Sequence, residues 1–370
     1  MARKIKIGII GCGGMAKGHL KGIKTLKEEG NDFFNIEAVC DVEKERAKSF
    51  FKEVRNLFGN RPLIYTDVAE LLKSEDTEAV SICTTHITHY SLAKEAIETE
   101  KHILIEKPLA ITLSQGRELV ELAEKNKTIF AVAENYRRMP LNRAIKKMLE
   151  EKLIGEPYFF LYQWAGVGDG IFCETPWRHK RSESGGGCMF DMGVHHSDMM
   201  QYWFGAVDKV YGITKTYIPI REGKSGRVKA TNEDFGAGII SFKSGVIASW
   251  TESYAANKGF TYLEIVGSKG TYHDDKGIEL KSGETISKEE LIRKYASAVR
   301  EDSVATEYED FCRAIIDKRK PETDALAGLK AMALPYALYE SAEAGKPVRF
   351  NDVLEGKIAN FEKKVIMAMR

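Results

Sequence analysis

The first 135 residues alternate short apolar runs with stretches of helical period, and that alternation narrows the possible folds more than any other feature of the chain. Residues 5–10 (IKIGII), 36–40 (IEAVC), 79–83 (AVSIC), 102–106 (HILIE) and 129–133 (IFAVA) are near-continuously apolar. Such strands suit a parallel sheet covered on both faces, because every side chain then meets a helix whichever way it points. The segments between them keep helical spacing. Ala47, Phe50, Phe51, Val54 and Phe58 share one face, and Thr112 with Gln115 forms a capping-box pattern ahead of Leu119, Leu122 and Ala123. Strand and helix repeated in this way predict a doubly wound α/β domain over residues 1–135.

After residue 155 the texture changes to longer, aromatic-rich strands at 158–165, 235–242, 246–254 and 262–267, which read as an antiparallel sheet. Lys243, Ser244 and Gly245 form the turn of a hairpin between two of them. Helices are expected again near 287–318 and 324–344. The 370 residues therefore divide into two domains, 1–135 and 136–370, with the last helices able to pack back on the first.

Charge and apolar content narrow the partners. Lys and Arg number 55 against 54 Asp and Glu, a balance that lacks the basic surplus of a protein neutralising many phosphates, so a small molecule is expected as the partner and not a nucleic acid. No apolar run approaches the roughly 20 residues needed to cross a bilayer, so no membrane partner is expected. The opening MARKIKIGIIGCGG places basic residues before apolar ones, as a signal peptide does, but its glycines and Lys17 cut the apolar segment short; it reads as a strand entering a loop. Cysteines 12, 40, 83, 173, 188 and 312 contain no CxxC pair, which fits a reducing cytoplasm better than a zinc ribbon or a disulfide framework.

Three clusters carry chemistry. Gly11-Cys12-Gly13-Gly14-Met15-Ala16 follows the first strand and opens a helical stretch. Gly11 permits a tight turn, Gly13 lets backbone approach a pyrophosphate, and the helix N-terminus offers free N–H groups; a glycine turn without ligand is the alternative. Asp41 ends the second strand, where a carboxylate would accept hydrogen bonds from the adenosine ribose and repel a 2′-phosphate, favouring NAD over NADP unless it merely caps the next helix. Glu106-Lys107-Pro108 closes a strand at the carboxyl edge, where open α/β sheets bind ligands. Its lysine could steady a substrate oxygen and its glutamate hold the lysine or the cofactor ribose. The third cluster runs from Gly185 through Gly186 and Gly187 to Asp198 and into a helix expected to reach Trp203. Asp191 and His195, four apart, would share a helix face as an acid/base pair. Satisfied polar residues at a domain seam are one alternative. Metal ligation by Asp191, His195, His196 and Asp198 is another, but adjacent histidines diverge by about 100° on a helix, and no metal is expected.

In this order the elements resemble the Gfo/Idh/MocA family over nearly the whole chain. The resemblance rests on Gly11 to Ala16, Glu106-Lys107-Pro108, the 185–198 segment, Trp177-Arg178, Asn135-Tyr136-Arg137 and residues 340–348. It implies a Rossmann domain followed by a mixed, mainly antiparallel α+β domain, with substrate between that sheet and the nicotinamide. Lys107, Asp191 and His195 would form the catalytic group, and the Lys107-Pro108 peptide would be cis. The implied cofactor set is Gly11, Gly13, Gly14, Met15, Asp41, Thr84, Thr85, His86, His89, Glu106, Lys107, Asn135, Trp177 and Arg178. One loop departs from the family's T-P-N-x-x-H: here Thr84-Thr85-His86-Ile87-Thr88-His89 keeps only Thr84 and His89. His86 could face the nicotinamide or the substrate, or be a loop residue.

The resemblance implies an NAD-dependent dehydrogenase, with NADP possible, acting on a secondary alcohol of a sugar, inositol or sugar acid. It also implies a homodimer or homotetramer. An NAD-dependent glycosidase or eliminase on the same fold is one alternative, and a non-catalytic dinucleotide sensor another, although a sensor has no need of a complete acid/base set.

Overall fold

The apolar runs of the first part become a six-stranded parallel sheet of β1 (Ile5–Ile10), β2 (Phe34–Cys40), β3 (Leu63–Tyr65), β4 (Ala79–Ile82), β5 (His102–Glu106) and β6 (Phe130–Ala133), in the order β3-β2-β1-β4-β5-β6. The computed structural model describes residues 4–167, 175–223 and 226–370; Cys173 lies outside them. Helices α1 (Gly14–Glu28), α2 (Lys44–Phe58), α3 (Val68–Lys73), α4 (His86–Glu98) and α5 (Leu113–Asn126) make the crossovers. The order reverses between β1 and β4, the switch point at which such sheets leave a crevice at their carboxyl edge. Strand β3 escaped the sequence reading because its apolar run, Leu63 to Tyr65, is only three residues long. At α5 only half of the capping box forms: Thr112 accepts a hydrogen bond from the Gln115 N–H (3.3 Å), but Gln115 Oε1 is buried without a hydrogen-bond partner and does not return to the Thr112 N–H.

The later part opens with α6 (Pro140–Glu150) and β7 (Pro157–Val167), then α7 (Arg181–Ser184), α8 (Cys188–Asp191) and α9 (Gly193–Phe204). Strands β8 (Val207–Lys215), β9 (Ile220–Gly223), β10 (Gly226–Lys229), β11 (Phe235–Phe242), β12 (Ile247–Ser253), β13 (Ala255–Gly267), β14 (Gly270–His273), β15 (Gly277–Leu280) and β16 (Thr285–Ile286) follow. Helices α10 (Lys288–Ala296), α11 (Ser303–Asp317) and α12 (Ala325–Ala344), strand β17 (Val348–Arg349), and α13 (Phe350–Leu354) and α14 (Asn360–Met369) complete the chain. β9 and β10 pair separately; the other strands form a nine-stranded sheet in the order β16-β15-β14-β13-β7-β12-β11-β8-β17. The hairpin predicted at Gly245 joins β11 and β12, with Gly245 at φ +93°. The sheet is mixed, because β12 runs parallel to β7. A parallel neighbour needs a crossover connection, and the helices between β7 and β8 supply it.

The chain forms two compact units: Met1–Asn135 with Arg300–Leu329, and Tyr136–Val299 with Lys330–Arg370. The second is thus not the continuous segment 136–370. The reason lies in α11, whose Ala305, Tyr308, Phe311 and Cys312 follow helical spacing and join the core made by Ile7, Ile9, Leu20, Ile23, Phe34 and Leu104. Gly22 of α1 lets that helix approach closely, since a Cβ there would stand 2.8 Å from the Ala305 nitrogen.

Candidate active site

In the first unit the ends of four strands, β1, β2, β4 and β5, bring the candidate residues to one edge. Gly11 leaves β1 at φ +88°, donates to the Cys40 carbonyl (2.8 Å), and has no room for a side chain, because a Cβ would meet the Cys83 carbonyl oxygen at 2.8 Å. Gly13 and Gly14 are the reverse case: nothing lies within 4 Å of where their Cβ atoms would be. That open space faces the start of α1, which has no side-chain cap and no acidic residue in its first turn. Asp41, buried at the end of β2, accepts from the Cys12 and Glu43 N–H groups (2.9 Å each), and Arg46 lies 3.5 Å away. Two N–H donors leave part of the carboxylate's accepting capacity for another partner. An open glycine cradle, an uncapped helix start and a carboxylate beside them fit a dinucleotide, with Met15 exposed at the rim.

After β4, Thr84 and Thr85 are half-buried, and Thr88 donates to the Thr84 hydroxyl and the Thr85 carbonyl (2.8 Å each). His86 is not a loop residue: it is the first residue of α4 and is buried, its ring 5.7 Å from that of His89. His89 is fully buried, with Nδ1 2.7 Å from the Pro108 carbonyl and Nε2 3.3 Å from that of Thr84. Burial holds its imidazole below the ordinary value, and the single N–H of a neutral ring suits the nearer acceptor, the Pro108 carbonyl of the Lys107 turn. The Lys107-Pro108 peptide is cis. Lys107 is buried, and Glu106 beside it accepts from the Lys107 N–H (3.1 Å) and meets His19. Asn135 is half-buried at the end of this unit.

In the second unit the glycine run is packed too tightly for side chains. A Cβ on Gly187 would lie 1.9 Å from the Glu233 carbonyl oxygen, while the Glu233 carboxylate accepts from Gly187 N–H (3.0 Å), Met189 N–H (3.2 Å) and the Tyr339 hydroxyl (2.6 Å). Glu233 thereby caps the start of α8, the helix that ends in Asp191. The single helix expected through Asp191 and His195 is two: it breaks at Met192, and the His195 N–H returns to the Met192 carbonyl (3.1 Å). Asp191 is buried and takes the Arg178 guanidinium and the Tyr254 hydroxyl (2.9 Å). Arg178 also lies 4.6 Å over the half-buried Trp177 ring. His195 stacks on Tyr136, ring centroids 4.4 Å apart and 14° from parallel. His196 turns away to Glu252 (2.5 Å), and Asp198 is gripped by Arg137, its Oδ2 2.7 Å from Nε. Those pairings occupy two groups of the metal alternative; no cluster of three or more His, Cys, Asp or Glu suited to a metal occurs among the described residues.

Sequence reasoning missed His19, Tyr254, Glu233 and Tyr308. The first is a buried position on a helix like any other, and the rest are distant in sequence from the groups they touch, so no local pattern marks them.

Comparison with known proteins agrees with this geometry. Residues 5–134 match the Gfo/Idh/MocA oxidoreductase family with its NAD-binding Rossmann fold, and residues 142–273 match the family's C-terminal domain. The chain belongs to that family of NAD-binding oxidoreductases. Among its relatives, a myo-inositol 2-dehydrogenase from Thermotoga maritima is 26% identical over 356 residues, covering 95% of this chain and all of that protein. A D-apiose dehydrogenase from Paraburkholderia graminis is 26% identical over 364 residues, covering 95% and 91%. Of solved structures, an oxidoreductase from Thermotoga maritima superposes with a TM-score of 0.80 at 29% identity, covering 95% of this chain and 100% of that one.

Proposed function

We propose that the protein oxidises a secondary alcohol of a sugar, inositol or sugar acid, or reduces the matching ketone, with Lys107, Asp191 and His195 as its catalytic residues. The observation that carries this reading is that the open glycine cradle, Asp41 and Lys107 all leave the carboxyl edge of one parallel sheet. A dinucleotide held by the glycine cradle and Asp41 would supply the hydride acceptor for the alcohol carbon. His195 takes the hydroxyl proton, and Tyr136 fixes the plane of its ring. Asp191, held by Arg178 and Tyr254, orients the acid/base group, and the Lys107 ammonium steadies the oxygen as charge develops on it. Gly11, Gly13, Gly14, Met15, Asp41, Thr84, Thr85 and Asn135 line the cofactor's place, with His86, His89 and Glu106 bracing it from within. Trp177 and Arg178 border the reacting centre.

The substrate class follows the relatives, whose names specify inositol, apiose and levoglucosan dehydrogenation. The test is appearance of NADH with a panel of polyols, aldoses and uronates, NAD and NADP in parallel. No signal with any of them would overturn the reading. Lys107→Ala and His195→Ala should each lower kcat at least a hundredfold on an active substrate. We further propose a homodimer or homotetramer in the cytoplasm. The open face of the nine-stranded sheet carries Phe159, Tyr211, Ile213, Ile239, Ile247 and Tyr262, each 40–52% exposed, an apolar patch that a second copy would cover.

A further inference from the structure

The Lys107 turn is held from beneath by residues of three other elements. Glu106 Oε1 lies 2.8 Å from His19 Nε2 on α1, and Glu106 Oε2 accepts from the Lys107 N–H (3.1 Å). His19 Nδ1 is 3.0 Å from the Tyr308 hydroxyl of α11, which is 2.8 Å from the Ser81 hydroxyl of β4. The Cys83 sulfur is 3.5 Å from the same Nδ1. All five side chains are buried.

Their chemistry restricts who donates. A carboxylate only accepts, so both the Lys107 N–H and the His19 Nε2–H donate to Glu106. If His19 is an imidazolium, its Nδ1–H donates to Tyr308, and the Tyr308 hydroxyl donates onward to Ser81, whose own hydroxyl faces the Cys83 sulfur (3.7 Å); the buried carboxylate then has a buried counter-charge. Burial alone would disfavour that charge, but the interactions with Cys83, Tyr308 and Glu106 outweigh it and raise the imidazole well above its ordinary value. Those three are the titratable groups facing it, from the residue that follows β4, from α11 and from β5.

We propose that His19, anchored by Tyr308, is a positioning residue for Lys107: by fixing the Glu106 carboxylate it fixes the Lys107 backbone, so one buried chain ties the helix opening the dinucleotide cradle to the lysine of the reacting centre. The inference rests on the role proposed for Lys107, and it gives α11, which follows the second sheet in sequence, a part in placing a residue of the first. Because His19 acts through Lys107, its loss should cost nothing more once Lys107 is gone.

The test uses the full-length protein with His19→Leu, His19→Gln and Lys107→Met, singly and combined. His19→Leu should lower kcat at least tenfold while the Kd for NADH, read from protein fluorescence, stays within threefold. The Gln variant, whose amide can still donate to Glu106, should recover most of the loss. On the Lys107→Met background His19→Leu should have no further effect. Additive losses in the double variant, or an NADH Kd that moves as far as kcat, would overturn the proposal. A second measurement needs no turnover: side-chain nitrogen NMR should show His19 carrying a proton on Nε2 and titrating above an ordinary imidazole, with that titration moved down in Glu106→Gln. A His19 without a proton on Nε2 in the unmutated protein cannot donate to Glu106 and overturns the chain even if the enzyme is an active dehydrogenase. If no alcohol is oxidised at all, the dehydrogenase reading falls, and the NMR result decides the chain by itself.

Discussion

Asp41 holds the glycine loop through the Cys12 N–H, and on the proposed reading its carboxylate also accepts from an adenosine ribose, so shortening it should act on both. In Asp41→Ser the KM for NAD should rise about tenfold, the equivalent of about 1.4 kcal/mol, while the preference over NADP narrows because the carboxylate that repels a 2′-phosphate is gone. Initial rates with both cofactors measure this, and an unchanged ratio would remove Asp41 from cofactor choice. His19 has a different signature. Its value is raised in the folded protein, so its contribution to stability is complete below the unfolded value near 6.5 and is lost as pH rises through the folded value. Denaturation midpoints should therefore fall on the alkaline side, by up to about 1.4 kcal/mol per pH unit for one proton, and His19→Gln should flatten that limb. The buried thiols Cys12 and Cys40 belong to the inert kind: burial pushes the Cys40 thiol up to about 12, and thiol reagents should find neither in the folded protein.

The short helix α8 shows what a glycine run can be for. Gly187 is required because the Glu233 backbone passes where its side chain would be, and the Glu233 carboxylate caps the helix that presents Asp191. Gly187→Ala should cost about 1–3 kcal/mol by overpacking and lower kcat more than it changes NADH affinity, since the displaced group is Asp191 and not the cofactor loop. Equal loss of both would show a general collapse. The strands β1, β5 and β11 have the very limits their apolar runs imply, because burial on both faces or strict alternation writes itself into composition. The break at Met192, the parallel pairing of β7 with β12 and the grip of Tyr254 on Asp191 depend on tertiary neighbours and leave no local trace. Of the residues proposed for the site, the glycine loop, Asp41, Lys107, Asp191 and His195 stand out in the sequence as motifs. The residues that hold them do not, since bracing can be supplied by any suitable side chain that reaches.

Each unit of the molecule closes its core with a segment returned from beyond the other. Phe311→Ala, deep in the first core though on α11, should destabilise that unit by about 3–5 kcal/mol and weaken NADH binding, whereas a reading of α11 as part of the second domain would leave the cofactor untouched. Calorimetry with and without NADH separates the two. On the second sheet, Ile239→Lys places a charge in the open apolar face and should lower the solution mass measured by sedimentation without altering the folded content of the protomer. An unchanged mass would mean that this face is not where copies meet.

The place of α11 also bears on how the protein is made. Ala133 and Ala305 belong to one core, yet roughly 170 residues separate them. At about 5–20 residues per second the ribosome needs on the order of 10–30 s to supply the missing helix. Throughout that interval the six-stranded sheet is complete in sequence but uncovered along the surface of α1 that α11 will occupy, so the nascent chain carries an apolar scar that chaperones can read. Transposing the segment 300–329 to follow residue 135, with 299 joined to 330, should shorten that exposure and raise the soluble yield.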